Sequence, residues 1–232
     1  MKALGIIPAR GGSKRLPRKN LRPLGGIPLV SHTLKAASDS GCFERILLSS
    51  DDEEVLALAE AVDGVEPWPR AESLSGDRVT ALTLVESIVE EGDFAEQFDV
   101  VALMLPTAPF RTARHLREGF ERLDRDVDGV VSLTTYEFPP QLSVTVGEDD
   151  GFIRGVFDPC PLITGDTRSQ DQAVIYRPNG AFYIQWMDRF LVNRNFWKGK
   201  VRGYEMARDD SVDIDDARDL AWAEHLLAER EA

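Results

Sequence analysis

The sequence predicts an α/β fold built around a doubly wound, mostly parallel sheet. Two observations indicate this class. Short apolar runs alternate with amphipathic helical segments from residue 3 to residue 123. Such alternation is typical of strand–helix–strand units, whose right-handed crossovers make neighbouring strands parallel. The runs 3–7 and 100–105 are apolar throughout instead of alternating, as expected for strands that are buried on both faces of a sheet.

The predicted elements follow one another at regular spacing. Strands are expected at 3–7, 45–50, 100–105 and 128–135, and the segment 176–184 is expected to be a loop that enters a strand. Helices are expected after Pro28, after Asp51, near Thr80, after Arg111 and at the end of the chain. Gly41 ends the first helix, and Asp51 with Glu54 is expected to cap the second. Two prolines and a glycine within 66–77 predict a loop there.

Composition restricts the possible partners. The chain has 232 residues, 43% of them hydrophobic, and a formal net charge of -13, so it can form one sizeable domain with its own core. An acidic protein has no excess positive charge with which to displace phosphate counterions, which argues against nucleic-acid binding. No apolar run approaches the roughly 20 residues of a membrane span, and no signal-peptide region precedes the first strand. We therefore expect a cytoplasmic protein without membrane association.

The loop between the first strand and Asn20 has the features of an anion-binding site. Gly11 and Gly12 allow backbone N–H groups to approach an anion without a Cβ in the way. Five cationic side chains lie within ten residues of an otherwise acidic chain: Arg10, Lys14, Arg15, Arg18 and Lys19. The spacing matches neither the Walker pattern nor the dinucleotide pattern Gly-x-Gly-x-x-Gly. The loop therefore predicts phosphate binding of another kind, with a solvated basic loop as the alternative.

A pair of carboxylates precedes the last predicted helix. Asp213 and Asp215 are two positions apart, so in an extended segment both side chains point to the same side. Two adjacent like charges are unfavourable unless a cation lies between them, and hard oxygen ligands suit Mg²⁺. The pair therefore predicts a magnesium site. Capping of the following helix by Asp215 is the alternative, and both roles can hold together.

Several motifs together carry a family resemblance. They are Ile7-Pro-Ala-Arg-Gly-Gly-Ser-Lys-Arg-Leu-Pro-Arg-Lys-Asn20, the segment containing Arg70, Leu74, Asp77 and Thr80, Leu105-Pro-Thr-Ala-Pro-Phe-Arg111, Arg168-Ser-Gln-Asp171 and Tyr176-Arg-Pro-Asn-Gly-Ala-Phe-Tyr-Ile184. The set resembles the CMP-sialic acid synthetase (acylneuraminate cytidylyltransferase) family of nonulosonic acid cytidylyltransferases, from Ile6 to Leu220. The resemblance implies a Rossmann-like nucleotidyltransferase fold. Ala71 stands where proline is usual in the family, and Leu105 stands where the family has glutamine.

The resemblance also implies a nucleotide site for CTP. Its loop would comprise Ala9, Arg10, Gly11, Gly12, Ser13 and Lys14, with Asn20, Arg70 and Thr80 facing the cytidine. Pairing of Arg70 with surface carboxylates is the alternative for that residue. The residues expected to take part in catalysis are Arg10, Lys14 and Lys19 at the phosphates, and Asp213 and Asp215 through Mg²⁺. Either aspartate could also help to deprotonate the attacking hydroxyl, through water.

The sugar-acid site is implied by other residues of the same motifs. Arg168, Gln170 and Asn179 would contact the acid, whose carboxylate favours a cationic partner. In the family the glutamine at the position of Leu105 is associated with the acyl-amino sugar, and a leucine can neither donate nor accept a side-chain hydrogen bond. The acid therefore stays open among sialic, legionaminic and pseudaminic acids, and Leu105 is counted with the substrate-binding residues.

The stretch at about 136–176 is expected to be an arm inserted into a single domain that spans 1–232. The segments 142–146 and 151–157 predict a small β-hairpin outside the main sheet. About forty residues are long for a plain loop, which favours a functional role. In the family the corresponding insertion exchanges between two subunits and completes the partner's sugar pocket. The resemblance therefore implies a dimerisation arm and a homodimer.

The expected activity is transfer of CMP from CTP to the anomeric hydroxyl of a nine-carbon 2-keto-3-deoxy sugar acid, with release of pyrophosphate. Two alternatives remain. One is another sugar nucleotidyltransferase of the Kdo type, which the motifs at 168–171 and 176–180 fit poorly. The other is a non-catalytic nucleotide-binding regulator with the same fold. A protein that only binds need not keep a metal pair, so Asp213 and Asp215 speak against the regulator.

Overall fold

The computed structural model describes residues 1–76 and 79–231; Asp77, part of one family motif, lies outside the described residues. The strands are β1 Ala3–Pro8, β2 Pro23–Leu24, β3 Ile27–Pro28, β4 Arg45–Ser50, β5 Val65–Pro69, β6 Val100–Leu103, β7 Gly129–Thr135, β8 Val144–Val146, β9 Ile153–Gly155, β10 Tyr176–Trp186 and β11 Val201–Glu205. The helices are α1 Leu29–Ser40, α2 Glu53–Ala57, α3 Ala81–Glu91, α4 Ala113–Glu121, α5 Pro161–Thr164, α6 Met187–Asn193 and α7 Ala217–Glu231.

Seven strands form the central sheet in the order β11-β7-β10-β6-β1-β4-β5. β1 pairs in parallel with β4 and β6, β4 with β5, and β7 with β11, whereas β10 runs antiparallel to β6. The predicted, mostly parallel sheet is confirmed. The prediction of a loop from residue 66 was wrong, because residues 65–69 form the edge strand β5. Its prolines are tolerated there since an edge strand has one side without a ladder partner.

Helices cover both faces of this sheet, as a doubly wound fold requires. Ala3 and Ile7 of β1 belong to a hydrophobic cluster that includes residues of α1 and α4. Leu4 and Ile6 belong to a second cluster with residues of α3 and α6. All four side chains are 0% exposed, and burial of one Leu or Ile stabilises the fold by about 1.5–3 kcal/mol. No helix in the described ranges is both long and apolar enough to cross a membrane.

The acidic residues that begin α2 and α7 differ from the ones considered in the sequence analysis, where Asp51 was the predicted cap of the first and Asp215 the alternative for the second. Asp52, not Asp51, caps α2, because its carboxylate accepts from the backbone N–H groups of Glu54 and Val55. Asp216, not Asp215, caps α7, since Asp216 Oδ1 accepts from the N–H groups of the second and third helical residues at 2.7 and 3.1 Å. Asp51 and Asp215 are thereby left for other contacts.

Residues 134–178 form a second compact unit, apart from the main unit of 1–133 and 179–232. Within it β8 and β9 form an antiparallel hairpin in which Val144 pairs with Gly155 and Val146 with Ile153. The unit exposes many large apolar side chains. Among the described residues seventeen large hydrophobic side chains are exposed, and twelve of them belong to this unit: Tyr136, Phe138, Val144, Val146, Phe152, Ile153, Val156, Phe157, Leu162, Ile163, Val174 and Tyr176.

Candidate active site

A cleft of about 520 Å³ lies where the loops after β1, β5 and β6 meet. These strands are parallel members of one sheet, and ligands of such sheets bind beyond the carboxyl ends of the strands. The lining residues that the sequence analysis predicted for a nucleotide or sugar site are Arg10, Lys19, Asn20, Arg70, Thr80 and Leu105. An adjoining cavity of about 330 Å³ is lined by Gly12, Ser13, Lys14 and Asp215, and it shares Arg10, Arg15, Lys19 and Asn20 with the cleft.

The glycine loop after β1 is fixed by the loop that follows β4. The N–H of Ala9 donates to Ser49 O, and the N–H of Gly11 donates to Asp51 Oδ1, both at 2.8 Å. A Cβ on Gly11 would lie 2.9 Å from Asp52 Cβ, whereas one on Gly12 would have no atom within 4 Å. Gly11 is therefore required by close packing. Its N–H group points to a carboxylate of the protein rather than to an anion-binding position, contrary to the prediction for this group.

Asn20 and Lys19 hold the far end of the same loop. Asn20 is 8% exposed and its Nδ2 donates to Arg10 O at 2.8 Å. Lys19 Nζ donates to Ile214 O at 2.9 Å and to Asp215 Oδ1 at 3.1 Å. The basic loop and the segment that contains Asp215, almost two hundred residues apart in sequence, thus contact each other directly.

The carboxylate segment is anchored on the loop after β6. The N–H of Ile214 donates to Thr107 O at 2.8 Å, and the Ile214 side chain is fully buried. Asp213 and Asp215 lie on the other side of the segment, exposed and half-exposed, as the period of two predicts. The charge of Asp213 also affects Tyr183 on β10, whose pKa is raised mainly by burial and additionally by that carboxylate.

Asp215 accepts from two cations. Its Oδ1 contacts Lys19, and its Oδ2 lies 2.8 Å from a guanidinium nitrogen of Arg15. The donor set of Asp213 and Asp215 fits Mg²⁺ held jointly by protein and substrate, since Mg²⁺ is usually bound by one or two carboxylates together with waters and phosphates. Among the described residues, no group of three or more His, Cys, Asp or Glu side chains could hold a metal by itself.

Arg70 and Thr80 border the cleft from two different elements. Arg70 is a half-buried residue after β5, and its guanidinium donates to Ser49 O at 3.1 Å. Burial lowers the pKa of Arg70, the charge of Arg10 lowers it further, and Asp51 opposes both effects. Thr80 caps α3 by accepting from the N–H of Thr83 at 3.0 Å, so the positive end of that helix dipole faces the cleft.

Arg111 is a residue of this region that the sequence analysis mentioned only as the end of a motif. It is 2% exposed, and its guanidinium donates to Leu105 O at 3.3 Å, to Ala181 O and to Thr33 Oγ1. Burial lowers the pKa of Arg111 to about 9, so the group is still charged at neutral pH. An arginine directly after an apolar strand and a Pro-Phe pair is the signal that could have indicated a buried cation.

The three residues predicted for the sugar acid lie in different units. Asn179 belongs to the main unit, is 1% exposed, and uses its carboxamide for Ser211 Oγ at 2.9 Å and for the N–H of Ala181 at 3.2 Å. Its side chain therefore supports the fold from inside and does not line the cleft. Arg168 and Gln170 belong to the second unit, where Gln170 lines a cavity of about 370 Å³. Arg168 is exposed and lies 3.9 Å from the carboxylate of Asp171.

A doubly wound sheet with a basic loop after β1 and a carboxylate pair in contact with that loop defines a protein of the nucleotidyltransferase class. The family model described as "Cytidylyltransferase" matches residues 4–151. The chain belongs to this cytidylyltransferase family, as the resemblance in the sequence indicated.

Several curated proteins are similar in sequence to this chain over most of its length. It is 32% identical to the pseudaminic acid cytidylyltransferase of Campylobacter jejuni, covering 97% of this chain and 96% of that protein. It is 30% identical to the CMP-N,N'-diacetyllegionaminic acid synthase of Legionella pneumophila, covering 98% and 97%. It is 33% identical to the N-acylneuraminate cytidylyltransferase of Streptococcus agalactiae, covering 95% of this chain but about half, 52%, of that longer protein.

The structural comparison bears on the fold alone, because the identities are low. A structure of CMP:2-keto-3-deoxy-manno-octonic acid synthetase complexed with CTP matches with a TM-score of 0.69 at 18% identity, covering 99% of this chain and 100% of that chain. The 4-diphosphocytidyl-2C-methyl-D-erythritol synthase of Anaerococcus prevotii matches with a TM-score of 0.68 at 14% identity, covering 98% of each chain. The predicted nucleotidyltransferase fold is thereby confirmed.

Proposed function

We propose that this chain is a CTP-dependent cytidylyltransferase that transfers CMP to the anomeric hydroxyl of a nine-carbon 2-keto-3-deoxy sugar acid. The observation that carries the proposal is the contact between Lys19 and Asp215, which brings the carboxylate segment to the basic loop beside the cleft. Relatives that are 30–33% identical and named for pseudaminic, legionaminic and acylneuraminic acids support the class of acceptor. The reaction belongs in the cytoplasm, the compartment expected for an enzyme that consumes CTP.

The transfer is a displacement at the α-phosphorus of CTP. The anomeric oxygen forms a bond to that phosphorus, the bond to the oxygen that bridges the α- and β-phosphates breaks, and pyrophosphate leaves. The hydroxyl proton passes to a base, for which Asp213 or Asp215 is available, directly or through water.

The side chains of the cleft stabilise the negative charge that develops on the phosphates. Arg10 and Lys14 supply positive charge from the loop after β1. Lys19 uses two of its three N–H donors on Ile214 and Asp215, which leaves one for a phosphate oxygen. Asp213 and Asp215 would hold Mg²⁺, which when bound supplies charge neutralisation of phosphate oxygens and orientation for in-line attack.

The cytidine and the acceptor would both contact residues that line the cleft. Arg70 and Thr80 face the nucleoside, and Asn20 acts by holding the loop through Arg10 O. Leu105 borders the acceptor with an apolar side chain in the position of the family's glutamine. Arg168 and Gln170 of the second unit would bind the sugar acid.

The function is tested by pyrophosphate release from CTP and Mg²⁺ with sialic, legionaminic, pseudaminic and Kdo acids offered separately. We expect release with a nine-carbon acid, and release with Kdo alone would favour the Kdo-type enzyme.

Asp213→Ala should abolish turnover while CTP binding in EDTA survives. Asp209→Ala, which removes an exposed carboxylate nearby, is the matched control and should leave turnover unchanged. CTP binding without turnover on any acid would favour a non-catalytic regulator.

The second part of the proposal is a homodimer formed through residues 134–178. Monomeric proteins rarely expose apolar patches larger than a few hundred Å², and this unit carries twelve exposed large apolar residues. A second copy is the occupant that the family resemblance implies. Ile163→Glu, at a position that is 78% exposed, should shift the protein to a monomer in light scattering. Val192→Glu, at an 82% exposed position of the main unit, should leave the dimer intact, and equal masses for both variants would contradict this interface.

A further inference from the structure

The two cations that contact Asp215 are held very differently. The Lys19 side chain is 14% exposed and has a second hydrogen bond to Ile214 O. The Arg15 side chain is 70% exposed, and its ion pair is with Asp215 Oδ2 at 2.8 Å. An exposed ion pair of this kind contributes only about 0–1 kcal/mol. Lys19 is therefore a fixed partner of Asp215, whereas Arg15 can exchange Asp215 for another anion at little cost.

The Arg15 contact conflicts with metal binding by the same carboxylate. A guanidinium that donates to Oδ2 occupies a lone pair that a divalent cation would need, and its positive charge repels that cation at short range. Oδ1 is already engaged by Lys19. With both contacts in place, Asp215 has no oxygen without a cationic partner to offer to a metal ion.

A phosphate bound in the cleft would be an alternative partner for Arg15. It lines both the cleft and the adjoining cavity that together contain Arg10, Lys19 and Asn20. A guanidinium forms two parallel hydrogen bonds with a phosphate as readily as with a carboxylate. A triphosphate in this cleft offers several such oxygens and carries more negative charge than one aspartate.

We propose that Arg15 couples nucleotide binding to metal binding by exchanging Asp215 for a phosphate. Without nucleotide, the guanidinium occupies Asp215 Oδ2 and weakens divalent-cation binding. When the triphosphate enters, Arg15 turns to the phosphates and Asp215 becomes available to the cation. Such coupling is reciprocal, so a cation on the aspartates also favours the phosphate-bound position of Arg15. The inference rests on the proposed assignment of Asp213 and Asp215 as metal ligands.

The chain offers a matched control for the charge of Arg15. Arg18 lies in the same loop, is similarly exposed at 58%, and pairs with Glu54 instead of with the carboxylate segment. Arg15→Gln and Arg18→Gln thus remove the same formal charge from the same loop. Only Arg15→Gln removes the partner of Asp215 Oδ2. A difference between the two variants therefore reports the loss of the contact between Arg15 and Asp215, and not the general loss of positive charge from the loop.

The test is Mn²⁺ binding to nucleotide-free protein, followed by the electron paramagnetic resonance of free Mn²⁺, with Mn²⁺ alone as the probe. We expect Arg15→Gln to bind Mn²⁺ about threefold more tightly than wild type, and Arg18→Gln to match wild type. Adding Asp215→Asn to Arg15→Gln should remove the gain. In EDTA, Arg15→Gln should bind CTP more weakly than Arg18→Gln does, because a phosphate contact is lost.

The outcomes separate the inference from the proposed function. Equal Mn²⁺ binding by the two arginine variants, with weaker binding by Asp215→Asn, would overturn the exchange and leave the metal site in place. Unchanged Mn²⁺ binding when Asp215→Asn is added to Arg15→Gln would overturn the metal assignment and the exchange together. Equal CTP affinity of the two arginine variants in EDTA would overturn the transfer of Arg15 to the phosphates. Circular dichroism melts check that each variant is folded.

Discussion

The ammonium of Lys19 lies 3.1 Å from Asp215 Oδ1 and 2.9 Å from the carbonyl oxygen of Ile214. These contacts join the loop after the first strand to the segment before the last helix. The same segment is held on the loop after β6, because the N–H of Ile214 donates to Thr107 O. Three loops from distant parts of the chain are thus fixed to one another around the cleft, with Lys19 as a partly buried connection between two of them.

Lys19→Met should therefore affect both stability and activity. The variant leaves the Ile214 carbonyl and one oxygen of Asp215 without their partner, which we expect to lower the free energy of unfolding by about 1–3 kcal/mol. kcat/KM should fall by about tenfold or more, since the loop no longer holds its position at the carboxylates. Urea denaturation and pyrophosphate release measure the two effects.

Lys35 supplies the control for the lysine prediction. Its ion pair with Asp39 joins two exposed side chains of α1, and such pairs contribute little. Lys35→Met should change the free energy of unfolding by less than about 0.5 kcal/mol. A similar loss of stability in both variants would mean that the Lys19 contacts are no stronger than those of an ordinary surface lysine.

The two loop glycines should respond differently to alanine. A Cβ on Gly11 would lie 2.9 Å from Asp52 Cβ and 3.1 Å from its Oδ2, and Asp52 is the cap of α2. Gly11→Ala should lower the melting temperature by about 2–6 °C, because the cap must move. A Cβ on Gly12 meets nothing within 4 Å, so Gly12→Ala should melt within about 1 °C of wild type. Equal melting temperatures in calorimetry would show that the loop adapts without cost.

The carboxylate pair illustrates what local sequence can predict. Asp213 and Asp215 share one side of their segment because the side-chain period of an extended chain is two, which is a property of neighbouring residues only. The cations that contact Asp215 could not be predicted in this way. Lys19 is 196 residues away, and no local pattern specifies which of five basic residues in a loop reaches a given carboxylate.

The wrong predictions have similar physical causes. Asp51 and Asp52 both follow β4, and the choice between them as the cap of α2 is decided by backbone geometry, since Asp52 is the residue with φ −113° and ψ 118° at the helix start. Asp51 instead accepts from Gly11, a contact set by the packing of two loops. Arg111 was missed because arginine is almost never fully buried, so composition rules assign such a residue to the surface.

His115 should make stability depend on pH in the mildly acidic range. Burial, opposed by the charge of Asp210, lowers the pKa of this 2% exposed histidine from its ordinary 6.5. The charges of Arg114 and Arg111 lower that pKa further, and that of Glu118 raises it. Below pH 6.5 the unfolded chain takes up a proton that the folded chain resists, so the stability that His115 contributes above that pH is lost as the pH falls toward the folded pKa.

The variant His115→Gln distinguishes the effect of protonating residue 115 from the effect of its helix-capping hydrogen bond. His115 is the third residue of α4, where its Nδ1 accepts from the N–H of Thr112 at 3.3 Å and completes a capping box. Glutamine can make the same contact and carries no proton in this range. His115→Gln should therefore keep its stability at pH 7.5 and lose less than wild type between pH 7 and pH 5, measured by urea denaturation. Parallel pH profiles would contradict the assignment.

Leu105 should determine which sugar acid the cleft accepts. Its side chain lines the cleft, while its N–H and carbonyl are fixed by Gly180 O and by Arg111, so a substitution changes the side chain without moving the backbone. Leu105→Gln introduces a donor and an acceptor where the family has them. We expect it to raise kcat/KM for N-acetylneuraminic acid, relative to the preferred acid of the wild type, by about tenfold, with the KM for CTP unchanged.

Leu105→Met is the control, because it keeps the apolar character and the volume of the side chain, and its acceptor preference should match the wild type. The same shift in both variants would indicate a change of shape alone, and no shift in Leu105→Gln would mean that another residue selects the acid.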